Sequence, residues 1–205
     1  MDEIVIRAIA RWPNVASVYG WLRLDRRGNW LVKSRAERDG APSFERISNR
    51  AVVDFIGRNY EQDAENRWYF QNGPQRVFIA LDYTPWVYRL DDAGSGFLVH
   101  GGAAPREIDA VFLDDSGSLL LKSELGIGVL LDRDLPAVIE RLSDERGRPV
   151  ERILEEVARG TETDIVLHGK TVTIALVRAA EVPLRFGFIP RPMPRPGESE
   201  CQAPV

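Results

Sequence analysis

The 205-residue chain carries one cysteine, Cys201, two histidines, His100 and His168, and only three lysines (Lys33, Lys122, Lys170) among its 27 basic residues. A lone thiol excludes an intramolecular disulfide framework and a cysteine-built zinc site, and it fits a reducing compartment. Neither histidine belongs to a His-x-x-x-His pair or a glutamate-bearing zinc motif, which excludes histidine-based metal catalysis. No apolar run approaches the roughly 18 to 20 residues of a membrane-spanning helix. The opening Met1-Asp2-Glu3-Ile4-Val5-Ile6-Arg7 begins with acids, so a cytoplasmic protein without a membrane span is expected. Charge of one sign is missing too: 27 Lys and Arg oppose 31 Asp and Glu for a net charge of -4, which leaves no general footprint for nucleic acid. The skew from lysine to arginine points to a GC-rich bacterial genome rather than to a recognition surface.

Nucleotide and metal motifs are lacking as well. No Walker A sequence exists, and Gly94-Ser95-Gly96 and Gly126-Ile127-Gly128 lack the third glycine and the following helix that would seat a pyrophosphate. Asp91-Asp92 and Asp114-Asp115 open like calcium loops, but the twelfth position is Gly102 in one and Leu125 in the other, where a bidentate glutamate is required. His100-Gly101-Gly102 resembles an oxyanion-hole loop, yet no Gly-x-Ser-x-Gly elbow supplies a nucleophile. No catalytic residue and no cofactor is therefore expected, and these segments read as turns.

What is present is a succession of strand signals broken by turn formers. Val18–Leu24, the turn Asp25-Arg26-Arg27-Gly28 and Asn29–Lys33 make a β-hairpin. After a polar stretch from Ser34 to Phe44, Ser48 or Asn49 can cap a helix whose Val52, Val53, Ile56 and Tyr60 recur at helical spacing. Arg67–Gln71, Arg76–Leu81 and Trp86–Leu90 predict a three-stranded antiparallel meander, with Asn72-Gly73-Pro74 and Asp82-Tyr83-Thr84-Pro85 as its turns. Beyond Asp91–Gly96, strands are expected at Phe97–His100, Ala110–Leu113 and Ser118–Lys122. Helices follow near Asp132 to Leu142 and over Pro149–Arg159, then strands at Asp164–His168, Thr171–Val177 and Leu184–Phe188. The alternating prolines after Pro190 predict a disordered tail.

The chain also repeats itself. Leu24-Asp25-Arg26-Arg27-Gly28-Asn29-Trp30-Leu31-Val32-Lys33-Ser34 matches the eleven residues from Leu113 to Ser123 at six positions, and Gly73–Leu81 parallels Gly169–Leu176 in the same order. The expected fold is α+β: two tandem β-rich subdomains from an internal duplication, each a twisted, mainly antiparallel sheet with a covering helix. Their expected spans are 1–93 with one helix, 94–189 with two helices, and a Pro-rich tail at 190–205.

All five tryptophans and all five tyrosines lie before residue 89. They pack a core or line a ligand or partner surface, since both side chains join apolar area to a polar tip. The two loops that turn-forming residues set apart nominate Asn72, Arg76, Asp82, Tyr83 and Trp86 for ligand or partner binding, with Trp86 after the bend at Pro85.

Asp25–Trp30, Ile47–Tyr60, Trp68-Tyr69-Phe70 and Leu81-Asp82-Tyr83-Thr84-Pro85-Trp86-Val87 occur in an order that resembles proteobacterial protein families of unknown function, over about residues 12 to 90. The resemblance implies a two-part β-rich fold, with pleckstrin-homology-like sheets as one form, and a regulatory or signalling role. It supplies no catalytic residues. Three functions follow from these readings: a binding or regulatory module for a small-molecule ligand or protein partner; an enzyme with Arg76, Asp82, Asp114 and Glu124 gathered where the halves meet; and a homo-oligomeric structural protein, with a homodimer its simplest form.

Overall fold

The computed structural model describes residues 1–38, 41–144, 146–199 and 201. Residues 1–83 together with the segment from Gly187 onward make one unit, and Thr84–Phe186 make a second.

The first unit opens with α1 (Glu3–Arg11), a helix not expected above although Val5, Ala8, Ile9 and Trp12 recur at helical spacing. The Asp2 carboxylate takes Arg58 Nε at 3.2 Å, and Asn59 Oδ1 accepts the Asp2 amide at 2.8 Å, so the helix start is fastened from elsewhere in the unit. β1 (Val18–Leu24), β2 (Trp30–Arg38) and β3 (Ala41–Arg46) form an antiparallel meander. The stretch expected to be polar loop is thus mostly strand, because β2 continues past Ser34 and pairs with β3. α2 (Arg50–Arg58) follows, with the Asn49 side chain accepting from Val52 N at 3.3 Å as an N-cap. β4 (Tyr60–Gln62), β5 (Trp68–Asn72) and β6 (Gln75–Leu81) complete a sheet of order β3-β2-β1-β6-β5-β4. β6 lies parallel to β1, with Leu22 opposite Ile79 and Leu24 opposite Leu81.

The second unit carries β7 (Trp86–Leu90), β8 (Phe97–Val99), β9 (Ala110–Asp114), β10 (Leu119–Ser123) and β11 (Gly126–Leu130). A 3-10 turn at Asp132–Asp134, α3 (Leu135–Ile139) and α4 (Val150–Ala158) lead to β12 (Thr163–Leu167), β13 (Lys170–Val177) and α5 (Val182–Phe186). The sheet order is β12-β13-β9-β10-β11-β7-β8, with β13 parallel to β9, and Leu113 opposite Leu176. Five strands are connected alike in each unit. A three-stranded meander, one or more helices and a hairpin come in that order, and the hairpin's last strand runs parallel to the meander's first.

The expected meander of Arg67–Gln71, Arg76–Leu81 and Trp86–Leu90 ends at its second strand. The third, Trp86–Leu90, pairs in parallel with β11 in the other sheet, after the bend at Pro85. The unit boundary accordingly falls at Tyr83 and Thr84 rather than near Asp91–Gly96. The strand expected at Leu184–Phe188 is replaced by α5, in which Pro183 occupies the first turn, where its missing N–H costs nothing. The Gly126-Ile127-Gly128 run, a failed nucleotide motif in the sequence, is strand β11. A Cβ on Gly128 would sit 2.6 Å from the Tyr88 ring and 2.7 Å from the Trp86 carbonyl oxygen, so the glycine permits a close approach of two strands. No described helix is long and apolar enough to cross a membrane.

Candidate functional site

α2 lies across one face of the first sheet, and its apolar stripe sets the lining of a groove. Val52 and Ile56 of the helix face Val18 and Leu22 of β1, Val77 of β6 and Phe70 of β5, around a cavity of about 400 Å³. Ile56 is fully covered at its floor, while Val32 and Val52 stand 38% and 42% exposed at its rim. Trp21 joins the lining because β1 is irregular: its register against β6 shifts between Val18 and Leu22, where Gly20 has φ of +72°. A bulge of this kind re-aims neighbouring side chains. Gln75, with Nε2 donating to the Ala16 carbonyl at 3.0 Å, contributes amide polarity to a wall that is otherwise almost wholly apolar.

The opposite face of the same sheet holds a buried ionic knot. Tyr19, Phe78 and Tyr69 form its floor, with Tyr19 and Phe78 stacked at 4.5 Å and Arg67 lying 4.3 Å over the Phe78 ring. Arg67 is only 3% exposed. Its Nε donates to Asp63 Oδ2 at 2.8 Å, its Nη1 to Glu198 Oε2 at 2.8 Å and to the Tyr19 hydroxyl at 3.1 Å, and its Nη2 to Glu198 Oε1 at 3.3 Å. Such a bidentate guanidinium to carboxylate pair is the strong form of an ion pair. Burial pushes the Glu198 carboxyl up, but the Arg67 guanidinium, the Arg195 amide and Tyr19 outweigh it and hold the group at about 2. Burial and the Glu198 acceptor raise Tyr19 well above an ordinary phenol.

Glu198 belongs to the Pro-rich segment that composition predicts to be a free tail. The described part of that segment is instead bonded along its length: Leu81 N donates to the Pro190 carbonyl at 2.8 Å, Ser17 N to the Ser199 carbonyl at 3.0 Å and Cys201 N to the Ser17 carbonyl at 2.8 Å. Arg195 adds an ion pair to Glu65 at 2.7 Å. Low apolar content fails to signal this order because the fastening is ionic and through backbone. Cys201 reaches the groove on the first face and lines it.

The five residues nominated from the sequence do not gather at one place. Asn72 and Arg76 flank the β5–β6 turn, where Asn72 is exposed and the Arg76 guanidinium lies 4.8 Å over Tyr69. Asp82 and Tyr83 stand beyond the other end of β6, roughly 20 Å along the strand. There Asp82 pairs with Arg23 at 2.5 Å and Arg191 at 3.3 Å, and Arg26 covers the Tyr83 ring at 4.4 Å. Trp86 belongs to the second unit, where it is buried, and its Nε1 donates to the Leu125 carbonyl at 2.6 Å. Of the residues named for an enzymatic site, Asp114 is buried and accepts the Ser116 and Ser118 amides at 2.9 and 2.8 Å, and Glu124 accepts the Arg106 amide at 2.7 Å. Asp114 is engaged in its own turn and Glu124 by a segment 18 residues earlier. The groove residues Val52 and Ile56 were visible as the apolar stripe of a helix, but nothing local distinguishes a stripe that fills a core from one that leaves a cavity.

The second unit has a polar cleft of about 560 Å³ lined by Asp144, Arg148, Glu156 and Asp164, where Arg148 pairs with Asp144 and Glu156, and a smaller one of about 200 Å³ beside Phe97 and His168. In the smaller one Lys170 pairs with Glu107, and His168 Nδ1 lies 2.6 Å from the Ser95 carbonyl oxygen. Among the described residues no group of three or more His, Cys, Asp or Glu side chains is placed to hold a metal ion.

Residues 1–193 match the DUF2944 family model, described as "Protein of unknown function (DUF2946)". The chain belongs to that family. No curated protein matches it. A solved structure, a DUF1285 family protein from Silicibacter pomeroyi DSS-3, is similar at 15% identity with a TM-score of 0.47, over 89% of this chain and 98% of that one. The matches name no catalytic activity.

Proposed function

We propose that this member of the DUF2944 family is a binding and regulatory module whose first unit takes a small, mainly apolar ligand in the groove beneath α2. The observation that carries the reading is the groove itself: about 400 Å³ of concave space, walled by Trp21, Phe70 and aliphatic side chains, on a sheet face that could have been packed solid. Ligand sites are typically clefts of ~300 to 1,000 Å³ with apolar walls and few polar groups. The arginine-rich, cysteine-poor composition supports a bacterial, cytoplasmic setting. Titration with Nile red, a neutral apolar fluorophore, tests the reading. Saturable binding to the wild type, weakened about tenfold or more by Val52→Asp at the rim with unchanged circular dichroism, is expected; equal binding to both proteins contradicts it.

A second reading, docking of a protein partner or a second copy, draws on the exposed apolar side chains of α1: Ile4 and Ile6, on its two flanks either side of buried Val5, are 65% and 53% exposed, and Trp12 follows at 51%. A native mass spectrum showing only monomer, with no change on Ile4→Glu, counts against the second-copy form.

We also infer that the two units descend from one duplicated half. The repeated sequence and the five-strand connection common to both units support it, and so does the pairing of the repeat's own residues: Leu24 faces Leu81 across one parallel pair, and their counterparts Leu113 and Leu176 face each other across the other.

A further inference from the structure

We propose that the C-terminal strap, described at Gly187–Ser199 and Cys201, is the gate of the groove, clamped on the far face of the sheet by Arg67 and Glu198; this rests on the groove being a ligand site. Side chains alternate across a strand. Val77 therefore turns into the groove while its neighbour Phe78 turns into the ionic knot, and Val18 and Tyr19 divide in the same way. A segment that is bonded to the knot and also lines the groove must round the end of the sheet.

The strap does this at Ser17, the residue before β1. Ser17 donates to Ser199 and accepts from Cys201 through its backbone, and the adjoining Val18 and Cys201 both line the groove. One rung of two hydrogen bonds thus separates the clamp from the groove wall. The clamp is built for release of one partner only. Asp63 holds Arg67 Nε within its own turn, four residues away, and that hold does not pass through Glu198. When Glu198 leaves, the guanidinium stays paired to Asp63 and presents the same two Nη donors, so the buried arginine is a preformed socket to which a carboxylate returns. Before Glu198 the strap is also held by the Gln62 to Gly187, Ile189 to Asn66, Leu81 to Pro190 and Arg67 to Met193 hydrogen bonds and by the Arg191 to Asp82 and Arg195 to Glu65 ion pairs, so the clamp governs its end beyond Arg195.

Stopped-flow Nile red kinetics on wild type, Val52→Asp, Glu198→Ala and Glu198→Gln, with amide exchange read at Ser17 and Cys201, test the gate. In Glu198→Ala the dissociation rate constant is expected to rise about fivefold and exchange at both amides about tenfold, with Glu198→Gln between. Should Glu198→Ala not give the wild-type circular dichroism spectrum, Glu198→Gln is read alone against the same expectation. Faster exchange with unchanged Nile red rates makes the strap a clasp and overturns the gate. Nile red binding that Val52→Asp abolishes but neither Glu198 variant alters leaves the groove reading standing and removes the gate. If the wild type binds no Nile red, the groove reading fails and the gate falls with it.

Discussion

Glu198 and Arg67 are 131 positions apart, and each looks like an ordinary surface charge in its own stretch of sequence. Their worth comes from the burial that the fold imposes on Arg67. The folded carboxyl lies at about 2, below its ordinary 4.5, so its stabilisation is fully present above about pH 4.5 and is lost as pH falls toward 2. The groups facing it are the charged Arg67 and Arg195 and the neutral Tyr19 hydroxyl, with Asp63 and Glu65 on the far side of Arg67. Glu198→Gln is expected to lower stability at pH 7 by about 2 kcal/mol, measured by urea unfolding. Its difference from wild type closes between pH 4.5 and 2, and a pH-independent difference contradicts the assignment. The nominated Arg76, Asp82, Tyr83 and Trp86 were legible as polar and aromatic residues near turns, but turn chemistry says nothing about which turns the fold brings together. Packing over Tyr69 accounts for Arg76, and a bond to Leu125 accounts for Trp86.

At the scale of elements, the sequence speaks clearly where a local rule suffices. The β1–β2 hairpin, helix α2 with its cap, and β9–β10 follow from turn residues and periodicity. Asp25 accepts the Arg27 and Asn29 amides just as Asp114 accepts those of Ser116 and Ser118, with Gly28 and Gly117 in the left-handed region of each turn. Asp63 and Asp144 build the same turn and add an ion pair to the arginine four residues on. This turn is therefore a recurrent local solution, and the shared Asp and Gly of the repeat carry less weight than the shared strand order. Helix α1 was missed although Val5, Ala8 and Ile9 mark its inner stripe, whereas strand β11 was illegible because it depends on a partner strand distant in sequence. Asn49→Ala is expected to cost about 1 kcal/mol through loss of the α2 cap. Gly128→Ala is expected to cost about 1 to 3 kcal/mol, because its Cβ meets the Trp86 backbone as well as the Tyr88 ring. Thermal unfolding of the two variants checks both, and a Gly128→Ala protein as stable as wild type would contradict the close strand approach.

Across the whole molecule, the α+β class and the presence of two β-rich parts were legible, whereas the place of division was not. A boundary near the acidic glycine turn followed composition, but β7 is claimed by β11, and strand pairing outweighs a local composition shift. The matching positions of the two units pack differently: Leu24 and Leu81 are fully buried, while Leu113 and Leu176 are half-buried. The groove was invisible in the sequence because its walls come from β1, β2, β5, β6, α2 and the strap, none of which carries a motif. Methyl-resolved NMR of the valine- and isoleucine-labelled protein, titrated with Nile red, tests the groove most directly. The account predicts that shifts concentrate on Val18, Val32, Val52, Val77, Ile47 and Ile56, while Val111, Val129 and Val157 of the second unit stay in place. Shifts confined to Ile4 and Ile6 of α1, or spread evenly over both units, would contradict it.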